Sequence, residues 1–136
     1  MKLHKVLMFW LIMPLLGMVN GKFRQVVLID YVNENIAHYI SAFTLIALLT
    51  LFVGVVWNRL DIQNRKSAWM TGLIWMLLTV LFEFSLGYFV SHLTWEEMLA
   101  DYNVFNGRLW PLVLLSLMTL PLLYLSNTKK PQGSIK

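Results

Sequence analysis

The stretch IAHYISAFTLIALLTLFVGVVW, residues 36–57, contains no Asp, Glu, Lys or Arg over 22 positions. At ~1.5 Å per residue, a helix of this length crosses a hydrocarbon layer of ~30 Å. The whole chain has the same character, because 58% of its 136 residues are hydrophobic and 13% are charged, against roughly 25% charged residues in soluble domains. The stretch therefore predicts a membrane-spanning helix in an integral membrane protein.

Three further apolar stretches complete the predicted fold. Residues 69–90 contain a single charge, Glu83, and residues 109–125 contain none. The apolar stretch at residues 6–19 is shorter than the others and includes Pro14. We therefore expect its helix to continue to about residue 28. We predict an all-α, polytopic membrane protein, with one four-helix transmembrane domain over residues 1–126, spans at about 6–28, 36–57, 69–90 and 108–125, and a disordered tail at 127–136.

The first stretch also has a second interpretation. Basic residues precede its apolar part, which is the outline of a secretory signal peptide. A signal peptidase site needs a pair of small residues, whereas the chain after Leu16 reads Gly17-Met-Val-Asn20. We favour a retained span, and a cleaved signal peptide stays open as the alternative.

A short helix is predicted between the third and fourth spans. Thr94-Trp-Glu-Glu97 is a capping box, in which the threonine hydroxyl accepts from the amide of Glu97 and that glutamate reaches back to the cap. Apolar residues recur on one face from Trp95 to Tyr102, with acidic residues on the other. This pattern predicts a helix at about 95–103 along the outer membrane interface, with a plain surface connector as the alternative.

Basic residues predict the orientation. With four spans, one side of the membrane collects Lys2, Lys5, Arg59, Arg65, Lys66, Lys129, Lys130 and Lys136, and the other collects Lys22, Arg24 and Arg108. This bias predicts that both termini are cytoplasmic. The sequence pI of about 9.5 is then a consequence of topology, and we expect no nucleic-acid partner.

Several kinds of chemistry have no motif in the sequence. There is no cysteine, which excludes thiol catalysis and cysteine-ligated metals. The chain also lacks an HExxH zinc pair, a GxSxG elbow, a phosphate-binding glycine loop and a CxxCH haem site. We therefore expect no metal and no cofactor, and an enzymatic role is the least favoured class.

Glu83 is the feature that demands an explanation. It lies seven residues before the outer end of the third stretch, so it is ~10 Å inside the membrane by helical rise. A charge there costs ~2.5 kcal/mol or more, and we expect protonation, pairing or a wet cavity. Gly72, Met76, Thr79 and Gly87 share its helix face at 3- and 4-residue steps, which predicts that this face meets neighbouring helices.

Basic side chains at the outer ends of the other spans are the predicted partners of Glu83. An arginine there would keep the carboxylate ionised, because desolvating either partner alone costs more than desolvating the pair. We predict one ligand-binding or ion-pair cluster under the outer surface, made of Arg24, His38, Glu83, Asp101, Asn103 and Arg108. The alternative is an Arg–Glu pair that only sets helix register, with His38 as an ordinary interfacial histidine.

Four strings of the sequence carry a resemblance. They are Gly21-Lys-Phe-Arg24, Ala37-His38-Tyr-Ile-Ser41, Phe82-Glu83-Phe84-Ser-Leu-Gly87 and Asp101-Tyr-Asn103-Val-Phe-Asn-Gly107-Arg108-Leu-Trp110. From about Gly21 to Tyr124, the chain resembles a group of small four-span bacterial inner-membrane proteins. The resemblance implies this fold, that location and the grouping of the six cluster residues, but no activity. The chain departs from the group at Asp30-Tyr31-Val32, where relatives often carry a proline.

Three classes of function follow from these observations. The favoured one is a protein that binds or translocates a small solute, a proton or a lipid headgroup from the periplasmic side. The second is a structural or accessory subunit, with other membrane subunits or a second copy as partners beside the lipid bilayer. The third is an intramembrane lipid-modifying enzyme, in which His38 would act as base beside Glu83 or Asp101.

Overall fold

A computed structural model of the chain describes residues 2–100 and 109–134. Within that part the chain is helical and contains no strand. The helices are α1 (Leu3–Trp10), α2 (Met13–Val26), α3 (Glu34–Leu60), α4 (Arg65–Ser85), α5 (Trp95–Ala100) and α6 (Trp110–Ser134). A 3-10 turn (Leu28–Asp30) follows α2, and a π-helical turn (Leu86–Val90) ends α4.

The prediction of an all-α, four-span membrane protein is confirmed. Four helical segments among the described residues are long and apolar enough to cross a membrane: Leu3–Asp30, Glu34–Leu60, Arg65–Val90 and Trp110–Asn127. Helix α6 extends to Ser134, and the disorder expected for residues 127–136 stays a prediction.

The helix of the first span is interrupted at its middle. Proline lacks an amide hydrogen, and its ring conflicts with the carbonyl four residues before it, so Pro14 cannot continue the helix that contains Trp10. The chain tightens there: the Leu11 amide donates to the carbonyls of Leu7 (3.3 Å) and Met8 (3.2 Å). The helix then restarts as α2 with Pro14 in its first turn, where a missing amide hydrogen costs nothing.

Two tryptophans fasten α1 to α4. The fully buried Trp75 donates from Nε1 to the Val6 carbonyl at 2.9 Å. One turn further, Trp10 Nε1 donates to Thr79 Oγ1 at 3.0 Å. Both pairs are 69 positions apart in the sequence, so α1 and α4 run in parallel and in register.

Close backbone approach joins α4 to α6. Gly72 is buried, and a Cβ atom placed on it would lie 2.1 Å from the carbonyl oxygen of Met118. Only a residue without a side chain allows this approach. The predicted stripe on α4 therefore does face its neighbours: Gly72 meets α6, and Thr79 meets α1.

Aromatic packing joins α6 to α3. The ring of Tyr124 stacks on Trp57 with centroids 5.5 Å apart, and its hydroxyl donates to the Thr50 carbonyl. Gly54 makes the space, because a Cβ atom there would lie 2.7 Å from the Tyr124 hydroxyl oxygen.

The bundle has two ends that differ in structure. One end, which we call the terminal end, contains the start of the chain at Lys2 and the connection at residues 61–64 between α3 and α4. The Lys2 amide donates there to the Leu60 carbonyl at 3.4 Å. Asp61 adopts a left-handed conformation with φ of 55° after α3. A hydrogen bond from Gln63 (2.8 Å) lowers the pKa of the Asp61 carboxyl, and the nearby charge of Lys2 acts in the same direction.

The opposite end of the bundle, which we call the loop end, contains the connection at residues 31–33 and helix α5. Asn33 caps α3 by accepting the Ile36 amide at 2.9 Å. Here α2 packs against α3, whereas α2 and α4, both wholly within the described residues, make little contact with each other. The interruption at Pro14 separates α1, which is hydrogen-bonded to α4, from α2, which packs against α3.

The close contact at Gly72 yields a testable prediction. In Gly72→Ala, the new methyl group must displace the Met118 backbone, so we expect the free energy of unfolding to fall by about 2 kcal/mol or more. Thermal or denaturant unfolding of the purified chain in detergent measures this change.

Gly17→Ala is the matched control. A Cβ atom on Gly17 would meet no neighbouring side chain or helix within 4 Å. The free energy of unfolding should therefore stay the same or rise by up to about 1 kcal/mol, because alanine favours helix. Equal stability of Gly72→Ala and Gly17→Ala would contradict the packing of α4 on α6.

Candidate functional site

Helix α5 folds back over the end of α4. Met98, which is buried, lies on Gly87 so closely that a Cβ atom there would be 2.8 Å from the methionine sulfur. The capping box forms as expected: the Glu97 amide donates to Thr94 Oγ1 at 3.2 Å, and the threonine hydroxyl donates to the Glu97 carboxylate at 3.2 Å. The glutamate therefore reaches the side chain of the cap. Residues 101–108, which include the predicted end of this helix, lie outside the described residues.

A cavity of about 160 Å³ lies among α2, α3, α4 and the start of α6. We call it the polar cleft. Its polar or aromatic lining residues are Asn20, Arg24, His38, Ser41, Glu83 and Trp110. Three of the six predicted cluster residues, Arg24, His38 and Glu83, thus line one cavity although they come from three different helices.

The remaining three predicted cluster residues, Asp101, Asn103 and Arg108, lie outside the described residues. Their membership of the cluster stays a prediction.

Two polar residues that the sequence cluster omitted form the base of the polar cleft. Ser41 donates from Oγ to Asn20 Oδ1, and Arg24 donates from Nη1 to Ser41 Oγ at 3.4 Å. Asn20 is 6% exposed and Ser41 is 2% exposed. Each of these buried polar side chains has the other as a hydrogen-bond partner, as buried polar groups generally require. The available signal was spacing, because Asn20 precedes Arg24 by one helical turn and Ser41 follows His38 by three residues.

The guanidinium of Arg24 points back along α2. A Cβ atom placed on Gly21 would contact its Nη2 at 3.9 Å, and its Nη1 reaches Ser41 on α3. Helical side chains lean toward the helix N-terminus, and α2 runs toward the loop end. The positive charge is therefore held deeper in the span than the Arg24 backbone.

The expectation of a buried ion pair is not supported. Among the residues whose side chains the structure describes, no charged side chain is buried. Arg24 and His38 are partly buried, and Glu83 is exposed. The physical reason is the gap between α2 and α4, which leaves the Glu83 carboxylate at the mouth of a cavity and not enclosed by packed helices.

His38 also faces the first turn of its own helix. Its Nε2 lies 3.9 Å from Glu34 Oε1, one turn earlier in α3. A carboxylate at this spacing attracts a protonated imidazole. His38 therefore stands between the polar cleft and the acidic surface of the loop end.

An apolar cavity of about 120 Å³ adjoins the polar cleft on its deeper side. It shares Gly17, Leu45, Glu83, Trp110 and Val113 with the cleft, and its other lining residues are Met13, Pro14, Met18, Leu49, Thr79, Phe82, Leu86 and Leu117. Thr79 is the one polar residue in the second set, and its hydroxyl is hydrogen-bonded to Trp10 and to the Trp75 carbonyl. The polar cleft and the apolar cavity thus adjoin at Glu83, which lines both.

The described residues offer no three His, Asp or Glu side chains positioned to hold a metal ion. What the polar cleft presents is a cation, a carboxylate and an imidazole around a hydrogen-bonded amide and hydroxyl. Such a set can bind a small group that carries one positive and one negative charge.

Neither family models, nor curated proteins, nor solved structures match the chain. The resemblance to four-span bacterial proteins therefore stays an expectation from the quoted strings.

The contact between Asn20 and Ser41 can be tested by a double-mutant cycle. Asn20→Ala and Ser41→Ala each leave a buried polar group without its partner, so each should lower the free energy of unfolding by about 1–3 kcal/mol. The double variant should cost less than the sum of the two, since no unpaired group remains.

Thr44→Ala is the control, because the exposed Thr44 hydroxyl bonds only to a carbonyl of its own helix. We expect a change within about 0.5 kcal/mol. Strict additivity of the Asn20 and Ser41 variants would show that the two side chains do not interact.

Proposed function

We propose that this chain is a non-enzymatic membrane protein that binds a small charged group, a solute or a lipid headgroup, in the polar cleft. The observation that carries the proposal is that Arg24, His38 and Glu83 line one cavity above a hydrogen-bonded pair, Asn20 and Ser41. The buried pair holds Ser41 in place, and Ser41 in turn accepts from Arg24, so part of the cationic site is preorganised.

The size of the polar cleft fits such a ligand. Its volume of about 160 Å³ corresponds to about five water molecules at ~30 Å³ each. A phosphate, a carboxylate or an amine fits this space, whereas a whole nucleotide or sugar does not. A hydrated cavity also explains how a charge is tolerated at this depth, because water replaces the lost solvation.

The hydrogen bonding favours binding over catalysis. A serine nucleophile is activated when its hydroxyl donates to a basic group. The Ser41 hydroxyl donates instead to the amide oxygen of Asn20 and accepts from Arg24. Neither contact raises its reactivity, so we assign Ser41 to positioning.

We also propose that the protein lies in a bacterial inner membrane with its loop end in the periplasm and both termini in the cytoplasm. The charges of the two ends support this orientation. The terminal end carries the basic residues Lys2, Lys5, Arg59, Arg65 and Lys66, whereas the basic residues that the structure describes toward the loop end are Lys22 and Arg24.

The orientation has a direct test, because a chain without cysteine accepts single reporter cysteines. We expect Glu96→Cys to react with a membrane-impermeant maleimide in intact spheroplasts, and Gln63→Cys to react only after lysis. Both positions are exposed, so access to the reagent depends on the side of the membrane. Labelling of Gln63→Cys before lysis, without labelling of Glu96→Cys, would reverse the proposed orientation.

Binding is tested with one headgroup in two forms: phosphoethanolamine in solution and dioleoyl-phosphatidylethanolamine in mixed micelles. We expect at least one form to raise the Tm of the purified chain, since a ligand that binds only the folded state stabilises it. The rise should disappear in Arg24→Gln, because the guanidinium provides the cationic side of the polar cleft.

The matched control is Lys22→Gln, which removes the same charge from an exposed position on the same helix. It should respond as the unaltered chain does. If neither form raises the Tm, or if Arg24→Gln responds as fully as Lys22→Gln, the polar cleft is not a binding site for this group.

A further inference from the structure

Two residues that line the cavities also reach the outside of the bundle. Met18 on α2 lines the adjoining apolar cavity and is 49% exposed, and Glu83 on α4 lines both spaces and is exposed. Both therefore reach the outside of the bundle where α2 and α4 make little contact. At this depth the outside of the bundle is the bilayer.

The two parts of the space differ in the group that they accept. The polar cleft contains the Arg24 guanidinium and the Ser41 hydroxyl, whereas the deeper apolar cavity is lined by Met13, Leu49 and similar side chains. At about 120 Å³, the apolar cavity has room for about four groups of the size of a water molecule at ~30 Å³ each, which is enough for the start of an alkyl chain. A ligand that fills both parts has a charged head and an alkyl chain.

The charges that line the polar cleft specify the head. Arg24 comes from α2 and Glu83 comes from α4, so a ligand between them meets a cation on one side and a carboxylate on the other. A phosphate suits the guanidinium, which donates charge-assisted hydrogen bonds. A primary ammonium suits the carboxylate, because it both neutralises the charge and donates hydrogen bonds.

From these observations we infer that the polar cleft binds a zwitterionic phospholipid of the phosphatidylethanolamine class, which enters from the bilayer between α2 and α4. The phosphate contacts Arg24, the ammonium contacts Glu83, and the first carbons of one acyl chain occupy the apolar cavity. This inference rests on the proposed function and names the ligand class of that site.

Lipid selectivity is the first test. The purified chain in mixed micelles is incubated with phosphatidylethanolamine, phosphatidylglycerol or phosphatidylcholine of the same chain length, and bound lipid is counted by native mass spectrometry. We expect phosphatidylethanolamine to bind best. Phosphatidylglycerol lacks the ammonium and meets the repulsion of Glu83, and the trimethylammonium of phosphatidylcholine has no hydrogen to donate.

Variants that remove the charge of Arg24 or of Glu83 test the role of each side chain in lipid binding. Arg24→Gln should lower phosphatidylethanolamine binding about tenfold or more, because one charge-assisted hydrogen bond is worth at least that factor. Glu83→Gln should change the preference toward phosphatidylglycerol, since the repulsion is gone. Lys22→Gln and Glu96→Gln are matched controls at exposed positions outside the cleft and should bind as the unaltered chain does.

Gly17→Leu tests the chain-binding part without threatening the fold. Gly17 lines both spaces, and a side chain there meets no heavy atom within 4 Å of its Cβ. The leucine should fill the apolar cavity, keep the Tm of the lipid-free chain and lower phospholipid binding about tenfold or more. Binding of water-soluble phosphoethanolamine should persist in this variant if it occurs at all.

The outcomes separate the inference from the proposed function. If phosphoethanolamine in solution binds as well as the phospholipid and Gly17→Leu changes nothing, the site takes a soluble group, and only the lipid inference is overturned. If phospholipid binds equally to Arg24→Gln and to the controls, it is nonspecific lipid at the surface, and the inference also falls. If no form binds in an Arg24-dependent way, both the inference and the proposed function fail.

Discussion

The fold depends on one residue that cannot continue a helix. Pro14 interrupts the first span, and the two halves then have different partners: α1 is hydrogen-bonded to α4 through Trp10 and Trp75, whereas α2 packs on α3. Four straight helices in register would close on each other along their whole length. Here the bundle is closed at the terminal end and open between α2 and α4 toward the loop end, and the candidate site occupies the opening.

This geometry accounts for the carboxylate in the third span. A charge surrounded by packed helices or by acyl chains would be costly, and a buried pair recovers that cost only with good geometry. At the lining of a cavity, Glu83 can be solvated while its neighbours pack on tryptophans, Phe82 on Trp10 and Phe84 on Trp95.

The sequence predicted the fold well because the membrane imposes simple constraints. Span number follows from charge-free length, and the face of α4 follows from the spacing of Gly72, Thr79 and Gly87. Glycine spacing could not identify the partners, since Gly72 meets α6 but Gly87 meets Met98 on α5. Pro14 was recognised as an interruption, but its consequence depends on which helices the tryptophans reach, and that is a tertiary contact.

The site was predicted in part for the same reason. Arg24, His38 and Glu83 were grouped because each lies near the outer end of a span, and depth is readable from sequence. The sequence could not decide among protonation, pairing and a wet cavity for Glu83, because exposure depends on helix packing, and the structure leaves this residue exposed. Asn20 was overlooked because its spacing from Arg24 indicates a shared helix face but does not identify Ser41 on α3 as its hydrogen-bond partner.

The divergence of α2 from α4 is the central claim, and spin-label distances in lipid nanodiscs test it most directly. Met8→Cys with Leu77→Cys places labels on α1 and α4, and Val19→Cys with Tyr88→Cys places them on α2 and the end of the same span. All four positions are exposed, and both pairs have the 69-residue offset of the Trp10–Thr79 contact. We predict a clearly longer distance for the second pair, whereas equal distances would mean a straight, closed bundle without the opening on which the site depends.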